Sequence, residues 1–241
     1  MTSTGKLYGL VLAGGLSTRM KTDKGLIAYH GVPQRTYLYK LLKEVCDEAY
    51  ISIRKEQENE FTSEEKLIID EDVYKGPFNG ILSAHHFDKN SAWLIIACDL
   101  PLINKRAIKQ LIVERDVNSI ATVFTTSTKE MPEPLCAIWE AEGLKQAEVF
   151  IAAQKSFAPI KFLRNSNVKI VKPLQDDVLL NVNEEKQRIE VVKKLKNKRG
   201  NVDRHLKTLE EKASTEDENL MPYIIDAVSA RVTIGEICNA F

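Results

Sequence analysis

The chain has 241 residues, enough to bury a substantial core as one large domain or as one domain with an appendage. Lys+Arg and Asp+Glu both number 34, so net charge gives no ground for a nucleic-acid or membrane-surface partner, and any phosphate recognition has to be local. No apolar run approaches the ~20 residues that span a bilayer, and residues 1–9 carry no signal-peptide pattern. Cys46, Cys98, Cys136 and Cys238 lie far apart and form no CxxC pair. The expectation is reduced thiols in a cytoplasmic protein, not disulfides or metal ligands.

Residues 7–12 form a short apolar run, broken by Gly9 and followed by glycines, which predicts a buried strand. It leads into Leu12-Ala13-Gly14-Gly15, where the glycines let the backbone turn and approach a ligand without side-chain obstruction. Ser17 and Thr18 add hydroxyls, and Arg19 and Lys24 add fixed positive charge. A strand, a glycine turn, hydroxyls and two cations suit a polyphosphate, although the spacing is neither the Walker pattern nor GxGxxG.

Further along, residues 26–29 predict a short strand, and Pro33 opens a helix with Tyr37, Leu38, Leu41, Leu42 and Val45 on its apolar face. Strands follow at 49–53 and 67–69, separated by a polar helix or loop at 55–65. The second of these strands runs into Asp70-Glu71-Asp72. Gly76-Pro77 starts a helix carrying Ile81, Leu82 and His85. The most apolar strand, 93–97, ends in Cys98-Asp99-Leu100-Pro101. Helices are expected at 105–114, 143–154, 157–163 and 184–197. Strands are expected at 119–124, 134–139 and 168–171, with an extended piece at 179–183. Lysine-rich residues 193–201 mark a boundary between a domain at 1–200 and a helical tail at 201–241.

The alternation predicts an α/β fold, a mainly parallel sheet covered by helices on both faces, with a C-terminal helical appendage. Ligands of such folds sit beyond the carboxyl ends of the strands. The glycine turn, Ser52, Asp70 and Asp99 all fall near strand ends and can converge there. As an N-cap for the helix at 105, Asp99 is five residues too early.

Leu12-Ala13-Gly14-Gly15, Arg19-Met20 and Asp23-Lys24-Gly25 resemble the signature loop of nucleotidyltransferases that join an NTP to a phosphorylated acceptor. The wording is most similar to the molybdenum cofactor guanylyltransferases, over about residues 6–188 and most strongly before Pro101. The resemblance implies a Rossmann-like nucleotidyltransferase fold, with GMP passing from Mg²⁺-bound GTP to the terminal phosphate of molybdopterin and pyrophosphate released. It implies that Arg19 and Lys24 hold phosphates and that Asp99 binds Mg²⁺. Asn183 of the Asn181-Val182-Asn183 segment is implied as a second metal ligand, with Asn181 competing for that role. Leu12, Ala13, Gly14, Gly15, Lys24, Ser52, Asp70, Gly76, Pro77, Asn79, Gly80 and Asp99 are implied at the nucleotide, with Asp72 replacing Asp70 if the register slips by two. The segment Gly76-Pro77-Phe78-Asn79-Gly80 departs from the family's GPLAG at Phe78 and Asn79, which leaves guanine against cytosine open. Asn79 either reads the base or caps the following helix.

The acceptor of such a reaction, a phosphate monoester with a second pKa near ~6, is largely dianionic at neutral pH. Its oxygen attacks the α-phosphorus without a general base, so positioning and charge neutralisation carry the catalysis. Rival readings are a cytidylyltransferase or a transferase for another phosphorylated acceptor, and, from a different class, a non-catalytic nucleotide-binding module. His30, His85, His86 and His205 are given ordinary core or surface roles, since adjacent His85 and His86 lack the helical spacing of a metal pair. In the tail, residues 218–241 resemble the end of methylmalonyl-CoA mutase chains. The cobalamin-binding motif is absent, so no mutase chemistry follows. Leu220, Met221, Ile224, Ile225 and Val228 share a helical face there, and Thr233 to Glu236 has capping-box spacing. This appendage packs on the domain or offers a surface to a protein partner.

Overall fold

A computed structural model describes residues 5–15, 23–125, 131–153, 156–182, 187, 189–191, 202–215, 218–230 and 232–240. Its strands are β1 (Leu7–Leu12), β2 (Glu48–Ile53), β3 (Leu67–Ile69), β4 (Ala92–Ala97), β5 (Ala121–Thr125), β6 (Pro132–Trp139) and β7 (Val168–Val171). They form one sheet in the order β3-β2-β1-β4-β6-β5-β7. Pairing is parallel for β1 with β2 and β4, β2 with β3, and β5 with β7. β6 runs antiparallel to both its neighbours, so the sheet is mostly parallel with one reversed strand.

Two-residue alternation along the strands divides the core into two layers. Val11, Ile51, Leu94, Ile96 and Ile138 face helices α1 (Gln34–Lys43) and α3 (Lys105–Val113), meeting Leu38, Leu42, Ile108 and Leu111. Leu10, Trp93, Ile95, Ala137 and Trp139 face α2 (Phe78–Phe87), α4 (Ala141–Ala152) and α5 (Pro159–Leu163), meeting Ile81, Leu82, Leu144, Ile151 and Phe162. With both faces covered, the central strands read as continuous apolar runs rather than alternating ones. Asn104 caps α3 by accepting from the Ala107 N–H at 3.0 Å, which leaves Asp99 out of that task.

Residues 26–29 are not the strand expected. A 3-10 turn, Lys24–Leu26, stands there instead, because the Asp23 carboxylate accepts from the Gly25 N–H at 2.8 Å and the Asp23 carbonyl from the Leu26 N–H at 3.1 Å. A local side-chain cap outcompetes strand propensity where no sheet edge is at hand. The extended piece at 179–183 likewise begins as a 3-10 turn, Asp176–Leu179, and the helix expected at 184–197 lies outside the described residues except at 187 and 189–191, which are helical.

The chain divides into two compact units, Met1–Arg188 and Ile189–Phe241. The second unit holds helices Val202–Ala213, Met221–Ser229 and Ile234–Cys238 around Leu209, Ala227, Val232 and Ile237. The capping box forms, with the Thr233 hydroxyl accepting from the Glu236 N–H at 3.3 Å. The apolar face expected at 220–228 is split. Ala227 is buried, with Tyr223 and Ile224 packed beside it, while Met221, Ile225 and Val228 are more than half exposed. Among the described residues, no helix is long and apolar enough to cross a membrane.

Gly9 permits a close approach of α1 to the sheet. A Cβ there would stand 2.8 Å from the Leu42 Cβ and 3.1 Å from its Cδ1, and Leu42 is fully buried. Gly9→Ala should therefore lower stability by about 1–3 kcal/mol through overpacking, measured by urea unfolding. A change under a few tenths would show that α1 shifts freely.

Candidate functional site

The strand order reverses direction between β1 and β4, the point where open α/β sheets bind ligands. Register puts Leu12 beside Ser52 on one side and Ala97 on the other, so the loops after β1, β2 and β4 leave the sheet at one level. Asp70 follows directly on Ile69, which pairs with Ile53. A cleft of about 440 Å³ opens above these strand ends. Leu12, Ala13, Gly14, Gly15, Lys24, Ser52, Asp70, Gly76, Pro77, Asn79, Gly80 and Asp99 all line it. Arg19 and Asn183 lie outside the described residues.

At one end of the cleft, Lys24 Nζ stands 3.7 Å from Asp99 Oδ2. Asn181 donates its amide N–H to the same oxygen at 2.8 Å, and the Val182 N–H binds the Asp99 carbonyl at 2.8 Å. Of the two asparagines left open, Asn181 thus lies at Asp99, and Asn183 is outside the described residues. Asp99 Oδ1 is buried and has no hydrogen-bond partner among the described residues. A buried carboxylate oxygen left unpaired is costly unless a cation or donor meets it.

At the other end, the Ser52 hydroxyl donates to Asp70 Oδ1 at 2.6 Å. A Cβ on Gly14 would stand 2.5 Å from Asp70 Oδ2, and one on Gly80 would collide with the Ser52 hydroxyl and lie 2.9 Å from Leu12 Cδ2. These two glycines are thus required by the packing of the cleft floor. Burial pushes the Asp70 carboxyl up to about 6, against the Ser52 hydrogen bond, which pulls it down. Asp72, the alternative to Asp70, also lines the cleft, at φ 58°.

Asn79 does not cap α2, and its side chain is engaged within the loop before that helix. Its carbonyl oxygen accepts from the Tyr74 N–H at 3.2 Å, and its amide donates to Asp72 Oδ1 at 3.4 Å. Pro77 occupies the cap position of α2. The amide locks the loop that carries Asp72 and Gly76, both with positive φ.

Several supporting residues carried no sequence signal. Buried Gln57 donates to Asp23 Oδ2 at 3.0 Å and to the Ala13 carbonyl at 3.4 Å, tying the glycine turn to the Lys24 turn. Arg54 donates to the Gly14 carbonyl. Buried Gln34 holds the Leu100 carbonyl at 3.3 Å, and its own N–H binds the Ile27 carbonyl at 3.0 Å. His30 Nε2 contacts the Pro101 carbonyl at 2.8 Å, so this histidine links the Lys24 and Asp99 segments. Glu133 at the start of β6 has its pKa raised by burial first and by the charge of Asp99 after it. Motif spacing finds none of these, because each acts through a contact distant in sequence.

The fold and cleft define a Rossmann-like nucleotidyltransferase fold with a glycine-rich turn at its switch point. The profile of the MobA-like NTP transferase domain matches residues 9–168, and the chain belongs to that family. A second profile, methylmalonyl-CoA mutase, matches residues 142–241. A molybdenum cofactor biosynthesis bifunctional protein of Synechocystis is 37% identical over 171 residues, covering 69% of this chain and 48% of that protein. A molybdenum cofactor guanylyltransferase of Pseudomonas entomophila is 33% identical over 112 residues, covering 44% of this chain and 59% of that one. The chain therefore spans about half the length of these curated relatives. The crystal structure of molybdopterin-guanine dinucleotide biosynthesis protein A from Archaeoglobus fulgidus shares the fold, with a TM-score of 0.66 at 18% identity over 79% of this chain and 99% of that one.

Two predictions follow from the cleft floor and its loop. Asp70 has a folded pKa above its unfolded value, so the stability its protonated form contributes is complete below about 4 and lost as pH rises through about 6. Asp70→Asn should then raise stability by about 1–3 kcal/mol at pH 7.5 and by almost nothing at pH 4. Equal effects at both pH values, in chemical unfolding, would contradict this. Asn79→Ala should lower the melting temperature through loss of the loop lock, by about 1–2 kcal/mol equivalent, while the GTP/CTP ratio of kcat/KM stays fixed. A shifted ratio would show that Asn79 reads the base.

Proposed function

We propose that this chain is a molybdenum cofactor guanylyltransferase, acting through its first compact unit. GMP passes from GTP to the terminal phosphate of molybdopterin. The observation that carries the reading is the Lys24–Asp99 pair in a glycine-floored cleft, with one Asp99 oxygen buried and without a hydrogen-bond partner among the described residues. The relatives' names supply the acceptor and the base.

The acceptor phosphate oxygen forms a new bond to the α-phosphorus, and the bond from that phosphorus to the bridging oxygen breaks, releasing pyrophosphate. Lys24 binds non-bridging phosphate oxygens, and the N–H groups of Gly14 and Gly15 meet the triphosphate without side-chain obstruction. Arg19 serves the same charge. Asp70, ionised above about 6, offers acceptor oxygens that suit the N1–H and amino donors of guanine. Leu12, Ser52, Gly76, Pro77 and Gly80 enclose the nucleoside. Asp99 fits a divalent cation, because its Oδ1 is a carboxylate oxygen with no hydrogen-bond partner among the described residues, and Mg²⁺ takes one or two carboxylates together with phosphate oxygens. Asn183 or Asn181 completes the protein's share. A bound Mg²⁺ would supply charge stabilisation at the phosphates. Free thiols at Cys46, Cys98, Cys136 and Cys238 agree with a cytoplasmic setting.

The test is pyrophosphate release with molybdopterin and each of the four NTPs. GTP should lead, and Asp99→Asn should cut kcat by roughly 10²-fold or more while the variant stays folded. Preference for CTP would make the chain a cytidylyltransferase. Nucleotide binding without pyrophosphate release would make it a binding module.

A further inference from the structure

Residues 70–76 join β3 to α2 and contribute Asp70, Asp72 and Tyr74 to the cleft wall. Asp72 adopts a φ of 58° and Gly76 of 65°. A non-glycine residue in the left-handed region persists only where its surroundings hold it. Asn79 holds this loop from inside. A second set of contacts holds it from outside.

His86 on α2 places Nδ1 2.8 Å from Glu71 Oε2 and Nε2 3.0 Å from Glu148 Oε1 on α4. The Tyr74 hydroxyl donates to that same Glu148 oxygen at 3.2 Å. One ring thus joins the loop, α2 and α4. Two carboxylates can both accept only from a doubly protonated imidazole. A neutral ring has one N–H and would turn a lone pair toward the second carboxylate.

The groups that face His86 are Glu71 and Tyr74 from the loop, Glu148 from α4 and His85 on its own helix, with Asp88 and Lys89 acting on His85. Burial works against the charged form of His86. The hydrogen bonds to Glu71 and Glu148 outweigh it, and the pKa is raised above 6.5. His85 is lowered, first by burial, so it does not compete for the charge.

We propose that His86, as an imidazolium bridging Glu71 and Glu148, is the positioning residue of the nucleotide-side wall, holding Tyr74 and the Asp70–Asp72 segment in the geometry that binds the nucleoside triphosphate. This rests on the reading of the cleft as a nucleotide site. The bridge is complete below the unfolded value of 6.5 and is lost as pH rises through the raised folded value. Its loss weakens nucleotide binding and leaves the reacting groups at Lys24 and Asp99 untouched.

Calorimetric titration of the full chain with GTP from pH 6.5 to 9 tests this in wild type, His86→Gln and Glu148→Gln. GTP's own titration is common to all three, so the difference between profiles isolates the bridge. The wild type should bind about threefold to tenfold tighter than either variant at pH 6.5, the scale of a partly exposed charge-assisted pair, and converge on them by pH 9. In turnover, both variants should raise KM for GTP with kcat within about twofold. Parallel pH profiles, or a fall in kcat at unchanged KM, overturn the proposal alone. A folded wild type that binds no nucleotide at any pH overturns it together with the nucleotide reading.

Discussion

The parallel pairing of β1 with β4 is the constraint on which the rest depends. It brings Leu12 level with Ala97, so a glycine turn and a carboxylate leave the sheet side by side. Chain connections diverge from that point, β2 and β3 to one side and β6, β5 and β7 to the other. A crevice is the necessary result, and its walls are whatever follows the strands. Among the described residues they carry Asp23, Asp70, Asp72 and Asp99 together with Lys24 and Arg54.

Partly burying Asp99 costs desolvation energy that a single pair to Lys24 does not fully return. Asn181 donates to one carboxylate oxygen and the Val182 N–H to the main-chain carbonyl, while the remaining oxygen is buried with no hydrogen-bond partner among the described residues. Around it, Gln34 and His30 hold the Leu100 and Pro101 carbonyls, and Gln57 holds Asp23 and Ala13. These amides and the imidazole fix loops that have no ladder partners.

The two sides of the sheet divide the labour. Tight apolar packing against α1 and α3 sets the depth of the floor. The α2 and α4 side is packed as tightly at Trp93 and Trp139, yet at its rim it turns polar, with His86, Glu71, Glu148 and Tyr74 linked together. Within one helix, α2 buries Ile81 and Leu82 in the core and carries His86 at the polar rim.

The sequence by itself determined the α/β class, the strand ends that meet at the cleft, and the glycine turn with Lys24 and Asp99, because apolar periodicity and motif spacing are local properties of the chain. For Gly14 it supplied the reason only in outline, as close approach to a ligand, and for Gly80 it supplied none. Tertiary structure decided what is approached: Asp70 for Gly14, and Ser52 for Gly80. It alone reversed β6, replaced the strand at 26–29 by a capped turn, and turned Met221, Ile225 and Val228 outward. Asn79 shows the division most clearly. Its donors and acceptor were legible as types, but their partners, Tyr74 and Asp72, are set by a loop whose backbone conformation no local pattern encodes. The same holds for His86, since a bridge across three elements exists only when the fold has placed all three.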